Sequence, residues 1–231
     1  MFGKNPARAQ EHTDGLQLWV QEVFYTLQGE GPFIGQPAVF VRLAGCNLVC
    51  TWCDTEFESS TWRPSLDELL LDIDAKRQAG CDLVVLTGGE PFRQNVVPLI
   101  QALLAKGMRV QFETNGSLWL DDMPLDDNLF IICSPKTKNL HDDILPRISA
   151  YKYVLAAGEV DADDGLPVTS TQKVGQACRL ARPVGDVPVY VSPRDDYDTH
   201  KNAANMALCR DVALKHGYRM TIQLHKMIGV A

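Results

Sequence analysis

No run of about 18 apolar residues occurs in the chain, so no helical membrane span is predicted. The first residues include Lys4, Arg8, Glu11 and Asp14 and lack the apolar stretch of a secretion signal, which points to a cytoplasmic protein. Positive charge is in short supply: 22 Lys and Arg stand against 29 Asp and Glu, a formal net charge of -7. That balance argues against direct nucleic-acid binding, which recruits basic surfaces, and favours a small-molecule partner. Internal repeats and low-complexity stretches are absent, so neither a repeat architecture nor a long linker is indicated. With 45% hydrophobic residues in 231, the chain can bury one sizeable core without a second domain. Residues 1–17 are expected to form a mobile N-terminal extension and residues 18–231 a single domain.

Histidine is scarce as well, with none between His12 and His141. This matters because three of the seven cysteines, Cys46, Cys50 and Cys53, fall within eight residues. An odd count with one tight cluster is unlike a disulfide framework and suits a metal site in a reducing compartment. A structural zinc site takes four Cys or His ligands, and an electron-transfer cluster takes four cysteines. Here no fourth ligand is near. Three thiolates on an iron-sulfur cubane leave one iron open for a substrate, as catalytic metal sites do in general. Cys81, Cys133, Cys178 and Cys209 read as packed core.

Strand patterns occur at Leu18–Tyr25, Ala38–Leu43, Leu83–Leu86, Val110–Phe112, Leu129–Cys133, Tyr151–Leu155, Val187–Val191 and Tyr218–Leu224. Helical patterns follow the capping-box residues Ser65 to Glu68, then span about Val96 to Lys106 and Lys201 to His216. Strands alternating with helices imply parallel pairing in an α/β open sheet or partial barrel, whose ligands gather at the carboxyl ends of the strands. The Gly88-Gly89-Glu90-Pro91 loop follows the third strand. Alone it would be only a turn. Beside the cysteine cluster it offers close backbone approach and a carboxylate that could accept from an ammonium group.

The cysteine spacing together with Gly88-Gly89-Glu90-Pro91 resembles the radical S-adenosylmethionine superfamily. The resemblance narrows with Leu27-Gln28-Gly29-Glu30-Gly31-Pro32, Arg42 ahead of the cluster, Cys53-Asp54-Thr55 after it, and Gln223-Leu224-His225-Lys226 near the end. Together these are similar to the 7-carboxy-7-deazaguanine synthase family, over a span from about Gln21 onward. A glycyl-radical activase shares the cluster and the Gly-Gly-Glu-Pro loop but not these flanks. A zinc or electron-carrier module is the non-enzyme alternative.

The resemblance implies an open, abbreviated, partial parallel (β/α) barrel and a radical-mediated ring contraction. In that reaction 6-carboxy-5,6,7,8-tetrahydropterin becomes 7-carboxy-7-deazaguanine with release of ammonia, in queuosine or deazapurine biosynthesis. It implies a 4Fe-4S cluster on Cys46, Cys50 and Cys53, S-adenosylmethionine, Mg2+ on Thr55, an external electron donor such as flavodoxin, and a homodimer. It assigns the cosubstrate to Gly89, Glu90, Asn115, Ser134, Pro135, Lys136 and Ser192. The pterin falls to Leu27, Gln28, Gly29, Glu30, Arg42, Thr87, His225 and the chain end at Ala231. From the residues alone, Asp54-Thr55 could instead be a turn or helix cap, Arg42 a surface ion pair and Lys136 a solvated side chain.

Overall fold

β-Branched and aromatic residues fill Val20–Leu27 (β1) and Pro37–Leu43 (β2), and such residues favour a pleated, half-buried surface. In this computed structural model, which describes residues 5–230, the two strands pair antiparallel with Val23 opposite Val41. The later strands are β3 (Leu83–Gly88), β4 (Arg109–Thr114), β5 (Leu129–Cys133), β6 (Ile148–Leu155), β7 (Val189–Pro193) and β8 (Arg219–Met220). Each runs parallel to its predecessor, so all eight follow one another in chain order in one sheet. The expected open, partial barrel is therefore the fold found.

Three crossover helices cover one face: α1 (Leu66–Lys76), α2 (Val97–Ala105) and α3 (Thr199–His216). Helix α1 starts where the sequence predicts, because Ser65 accepts from Glu68 N while the Glu68 carboxylate accepts from Ser65 N at 2.8 Å. Asp198 caps α3 by accepting from His200 N and Lys201 N. Leu69, Ile73, Leu99, Ile100 and Leu103 from α1 and α2 join the main core with Val84, Leu86, Val110 and Phe112 of the sheet. The other face of the sheet is apolar low down, at Ala38, Leu83 and Val85 with Phe33. Toward the carboxyl ends it turns polar, and the site lies there. Between β4 and β7 the connections carry no α-helix, only a 3-10 turn at Asp142–Arg147. Among the described residues, no helix is long and apolar enough to cross a membrane.

One expectation needs correction. The last strand is only Arg219–Met220, and the chain then forms a short helix, α4 (Leu224–Ile228), so His225 sits on a helix rather than at a strand end. Apolar alternation through Thr221 and Leu224 looks like a strand, but pairing stops where Thr221 N donates to Val191 O at 2.9 Å. Within residues 5–17, the described part of the N-terminal segment makes hydrogen bonds to the rest of the chain. Arg8 N donates to Cys46 O (2.7 Å), Glu11 N to Arg93 O (2.7 Å), and Arg93 Nη1 to Glu11 Oε1 (2.6 Å). The buried Arg93 guanidinium, also donating to Ala44 O at 3.1 Å, holds this segment in place.

Candidate active site

The chain leaves β2 through Ala44 and Gly45 into the cysteine loop. Gly89 N donates to Leu43 O (3.2 Å) and Glu90 N to Gly45 O (2.9 Å), so the loop after β3 is zipped onto the start of the cysteine loop. Glycine is required there: a Cβ on Gly89 would lie 2.0 Å from Gly45 O and 2.9 Å from Cys46 Cβ. Cys46, Cys50 and Cys53 border one cavity of about 280 Å³. All seven cysteines are free; Cys81, Cys133 and Cys209 are buried, whereas Cys178 is half-buried in the connection before β7 and is not core.

Burial pushes the Cys46 thiol up to about 12 and raises the Cys53 thiol too. An iron ligand must therefore lose its proton on binding, as thiolate ligands generally do. Among the described residues no three His, Cys, Asp or Glu side chains gather closely enough to hold a single ion. A cluster asks for something looser, one thiolate for each of three irons. Three sulfurs around the edge of a cavity, with backbone N–H from Leu48 donating to Cys46 Sγ at 3.5 Å, fit that group.

The same cavity is also lined by charged side chains of the sheet. Lys152 of β6 is buried and donates to Glu30 Oε2 at 2.7 Å and to Glu113 Oε2 at 3.5 Å. Glu113 of β4 also accepts from Gln28 Nε2 (3.2 Å), Gln111 Nε2 (2.8 Å) and Thr87 Oγ1 (3.4 Å). Burial works against every charge here, but Lys152 and the amide donors outweigh it and hold the Glu113 carboxyl below its ordinary range. The same carboxylates raise the Lys152 ammonium against burial. Both partners stay ionised, with Glu113 and Glu30 keeping their remaining surface toward the cavity. Sequence reasoning missed Glu113 and Lys152. Their signal is a charge inside an apolar strand, Val110-Gln111-Phe112-Glu113 and Tyr151-Lys152-Tyr153-Val154-Leu155, where an unpaired charge would be prohibitive.

Around the same cavity stand Leu27, Gln28, Glu30, Arg42, Thr55, Thr87, Gly89, Asn115, Ser134, Lys136 and His225. Arg42 already donates to Glu22 Oε1 at 2.7 Å and lies over the Phe24 ring. Lys136 donates to Ser134 O at 3.0 Å, lies over Trp52, and burial lowers its pKa. His225 of α4 packs on Gly29, where a Cβ would come within 2.1 Å of His225 Nδ1. Burial lowers the His225 pKa, so its ring is neutral near pH 7.

Four assigned residues are not on the cavity wall. Glu90 is fully buried, accepting from Phe92 N (3.1 Å), Thr114 Oγ1 (2.7 Å) and Asn115 N (2.7 Å), so its carboxyl is committed to joining the β3 and β4 loops. Pro135 lines a small neighbouring cavity beneath Trp52 and Lys136. Ser192 is buried in β7 with no partner for its hydroxyl among the described residues. Gly29 is buried under His225. Ala231 lies outside the described residues.

The model of the radical SAM superfamily matches residues 41–126, the stretch that holds the cysteine loop and the Gly-Gly-Glu-Pro loop. A 7-carboxy-7-deazaguanine synthase from Rhodospirillum rubrum is 59% identical over 236 residues, covering 100% of both chains. A relative of the same name from Rickettsia prowazekii is 39% identical over 240 residues, covering 100% of this chain and 96% of its own. The crystal structure of QueE from Escherichia coli superposes with a TM-score of 0.64 over 90% of this chain and 95% of that one, at 24% identity, a likeness of fold. The chain belongs to the 7-carboxy-7-deazaguanine synthase family of the radical SAM superfamily.

Proposed function

We propose that this protein converts 6-carboxy-5,6,7,8-tetrahydropterin to 7-carboxy-7-deazaguanine with release of ammonia, the ring-contraction step of queuosine biosynthesis. The observation that carries the reading is one cavity lined both by the three cysteines and by the Gln28–Glu113–Lys152–Glu30 network. When bound, the cluster and S-adenosylmethionine supply one electron and a radical that takes a hydrogen from the substrate. The protein's own task is placement. Gly88, Gly89, Asn115, Ser134 and Lys136 border the cavity near the cysteines and suit the cosubstrate's amino, carboxylate and ribose groups. Glu113 and Glu30 are acceptors matched to the amino and ring N–H edge of a pterin, with Gln28 able to donate or accept. Arg42, Thr87 and neutral His225 remain for its carboxylate and oxo groups.

Thr55 borders the cavity two residues past Cys53, and its hydroxyl, beside Asp54, is a hard oxygen suited to Mg2+ that meets the substrate carboxylate. Thr55→Ala should assemble a full cluster yet show roughly tenfold or lower turnover with a weaker response to Mg2+. The same Mg2+ titration in variant and parent would remove the ion from Thr55. A low-potential donor such as flavodoxin, a homodimer and a cytoplasmic setting complete the proposal, the last supported by seven unpaired cysteines. The deciding experiment is anaerobic incubation of reconstituted protein with the carboxypterin, S-adenosylmethionine, Mg2+ and reductant, followed by mass spectrometry. Absence of the deazaguanine acid, with S-adenosylmethionine still cleaved, would overturn the substrate assignment.

A further inference from the structure

The connection between β6 and β7 forms a small hairpin-like loop, with Thr169 bridged to Ala177 and Ser170 N donating to Gln176 O at 2.8 Å. Its tip, Thr171-Gln172, lies against the cysteine loop. Thr51 N donates to Thr171 O and Val49 N to Gln172 Oε1, both at 2.8 Å. Because the Gln172 oxygen accepts from a backbone N–H, the orientation of the side-chain amide is fixed and its nitrogen must point the other way. That nitrogen donates to Thr171 Oγ1 at 2.7 Å and to Cys50 Sγ at 3.3 Å. The Thr171 hydroxyl in turn donates to Lys136 O at 3.0 Å, so its proton is committed away from the sulfur. Gln172 therefore supplies the side-chain donor to Cys50. Cys46 receives a backbone N–H and Cys53 lies 3.7 Å from the Thr55 carbonyl oxygen, an acceptor.

We propose that Gln172 is a positioning residue for the cluster, raising its reduction potential through the hydrogen bond to Cys50 Sγ and locking the cysteine loop to the Lys136 segment. The inference rests on the reading that Cys46, Cys50 and Cys53 hold a 4Fe-4S cluster. One electron from a low-potential carrier makes the cluster more negative by one charge, and a donor aimed at a ligating sulfur stabilises that added charge. Removing the donor makes reduction harder. No other protein group has to change oxidation state.

The test uses the full chain, reconstituted anaerobically, as Gln172→Leu, Gln172→Glu and a control, Lys173→Ala, whose side chain is exposed on the same loop. Iron and labile sulfide are measured, and the reduced cluster is titrated by electron paramagnetic resonance, which reports the potential of loaded molecules whatever their fraction. Gln172→Leu should lower the reduction equilibrium roughly tenfold, about 59 mV for a one-electron couple. Gln172→Glu, placing a carboxylate near the sulfur, should lower it further, and Lys173→Ala should match the parent. Equal potentials in the parent, Gln172→Leu and Gln172→Glu would overturn the proposal. So would folded Gln172 variants that load no iron at all, since Gln172 would then serve assembly and not potential. Failure of the parent itself to take up iron and sulfide would instead defeat the cluster reading beneath it.

Discussion

Lys152 shows how one residue organises the site. It sits within an otherwise apolar strand and is buried, yet two carboxylates meet it, so its charge is matched where a lone ammonium would be costly. Lys152→Met removes the cation and leaves Glu30 and Glu113 facing each other. Breaking a buried pair in this way should cost about 3–5 kcal/mol. The pH dependence should change sign. In the parent the Glu113 pKa is depressed, so its contribution is present above the ordinary value of 4.5 and is lost as pH falls through the lower folded value. In the variant at least one of the two carboxyls is pushed upward, and its penalty is relieved by protonation. Thermal melts between about pH 7.5 and about pH 5.5 should therefore show the variant gaining stability while this group leaves the parent unchanged. A variant that loses stability over that interval would mean the carboxylates had found another cation.

At the scale of elements, residues 5–17 strap onto the start of the cysteine loop. Glu11 pairs with the buried Arg93, which donates to Ala44 O at the entry to the cysteine loop. Glu11→Ala should strand that guanidinium, cost about 1–3 kcal/mol and shorten the life of the reduced cluster in air, because the loop holding Cys46 loses its backing. An unchanged melting temperature and oxidation rate would reduce the strap to a surface contact. Nothing in the sequence around Glu11 announces this role, since Arg93 lies 82 residues away and the pairing exists only once the sheet has formed. By contrast, α1 was legible because its cap is local: Ser65 and Glu68 satisfy each other within one turn. The same contrast explains α4. Thr221 and Leu224 suit a strand by pattern, and only the limited pairing with β7 ends it.

For the whole molecule, the sequence showed that the motifs collect at one rim, because each follows a strand in a parallel α/β pattern. It could not show what the rim encloses. Glu113 and Lys152 come from strands 4 and 6 of the sheet and meet across β5, and the sequence does not tell whether a carboxylate after a strand, such as Glu90, faces the cavity or bonds the neighbouring loop. Helix α4 borders the cavity through His225 and is joined to the loop after β1 by Leu224 N donating to Gly29 O at 3.2 Å. Gln223 Nε2 donates to Asp54 Oδ2 at 3.2 Å and Lys226 Nζ to Asp195 Oδ2 at 3.0 Å, so one short element touches the first loop, the cysteine loop and the end of β7. A chain ending at Gln223 should keep the eight-stranded sheet, the cluster and cleavage of S-adenosylmethionine, since none of these depends on residues after 223. It should lose productive turnover by about a hundredfold or more, because a substrate free to shift by about 1 Å no longer presents the reacting hydrogen. Cleavage uncoupled from product, measured as the ratio of 5'-deoxyadenosine to deazaguanine acid, should rise accordingly. Turnover equal to that of the full chain would show that α4 merely caps the sheet edge, and loss of cluster together with turnover would show that it stabilises the cysteine loop instead.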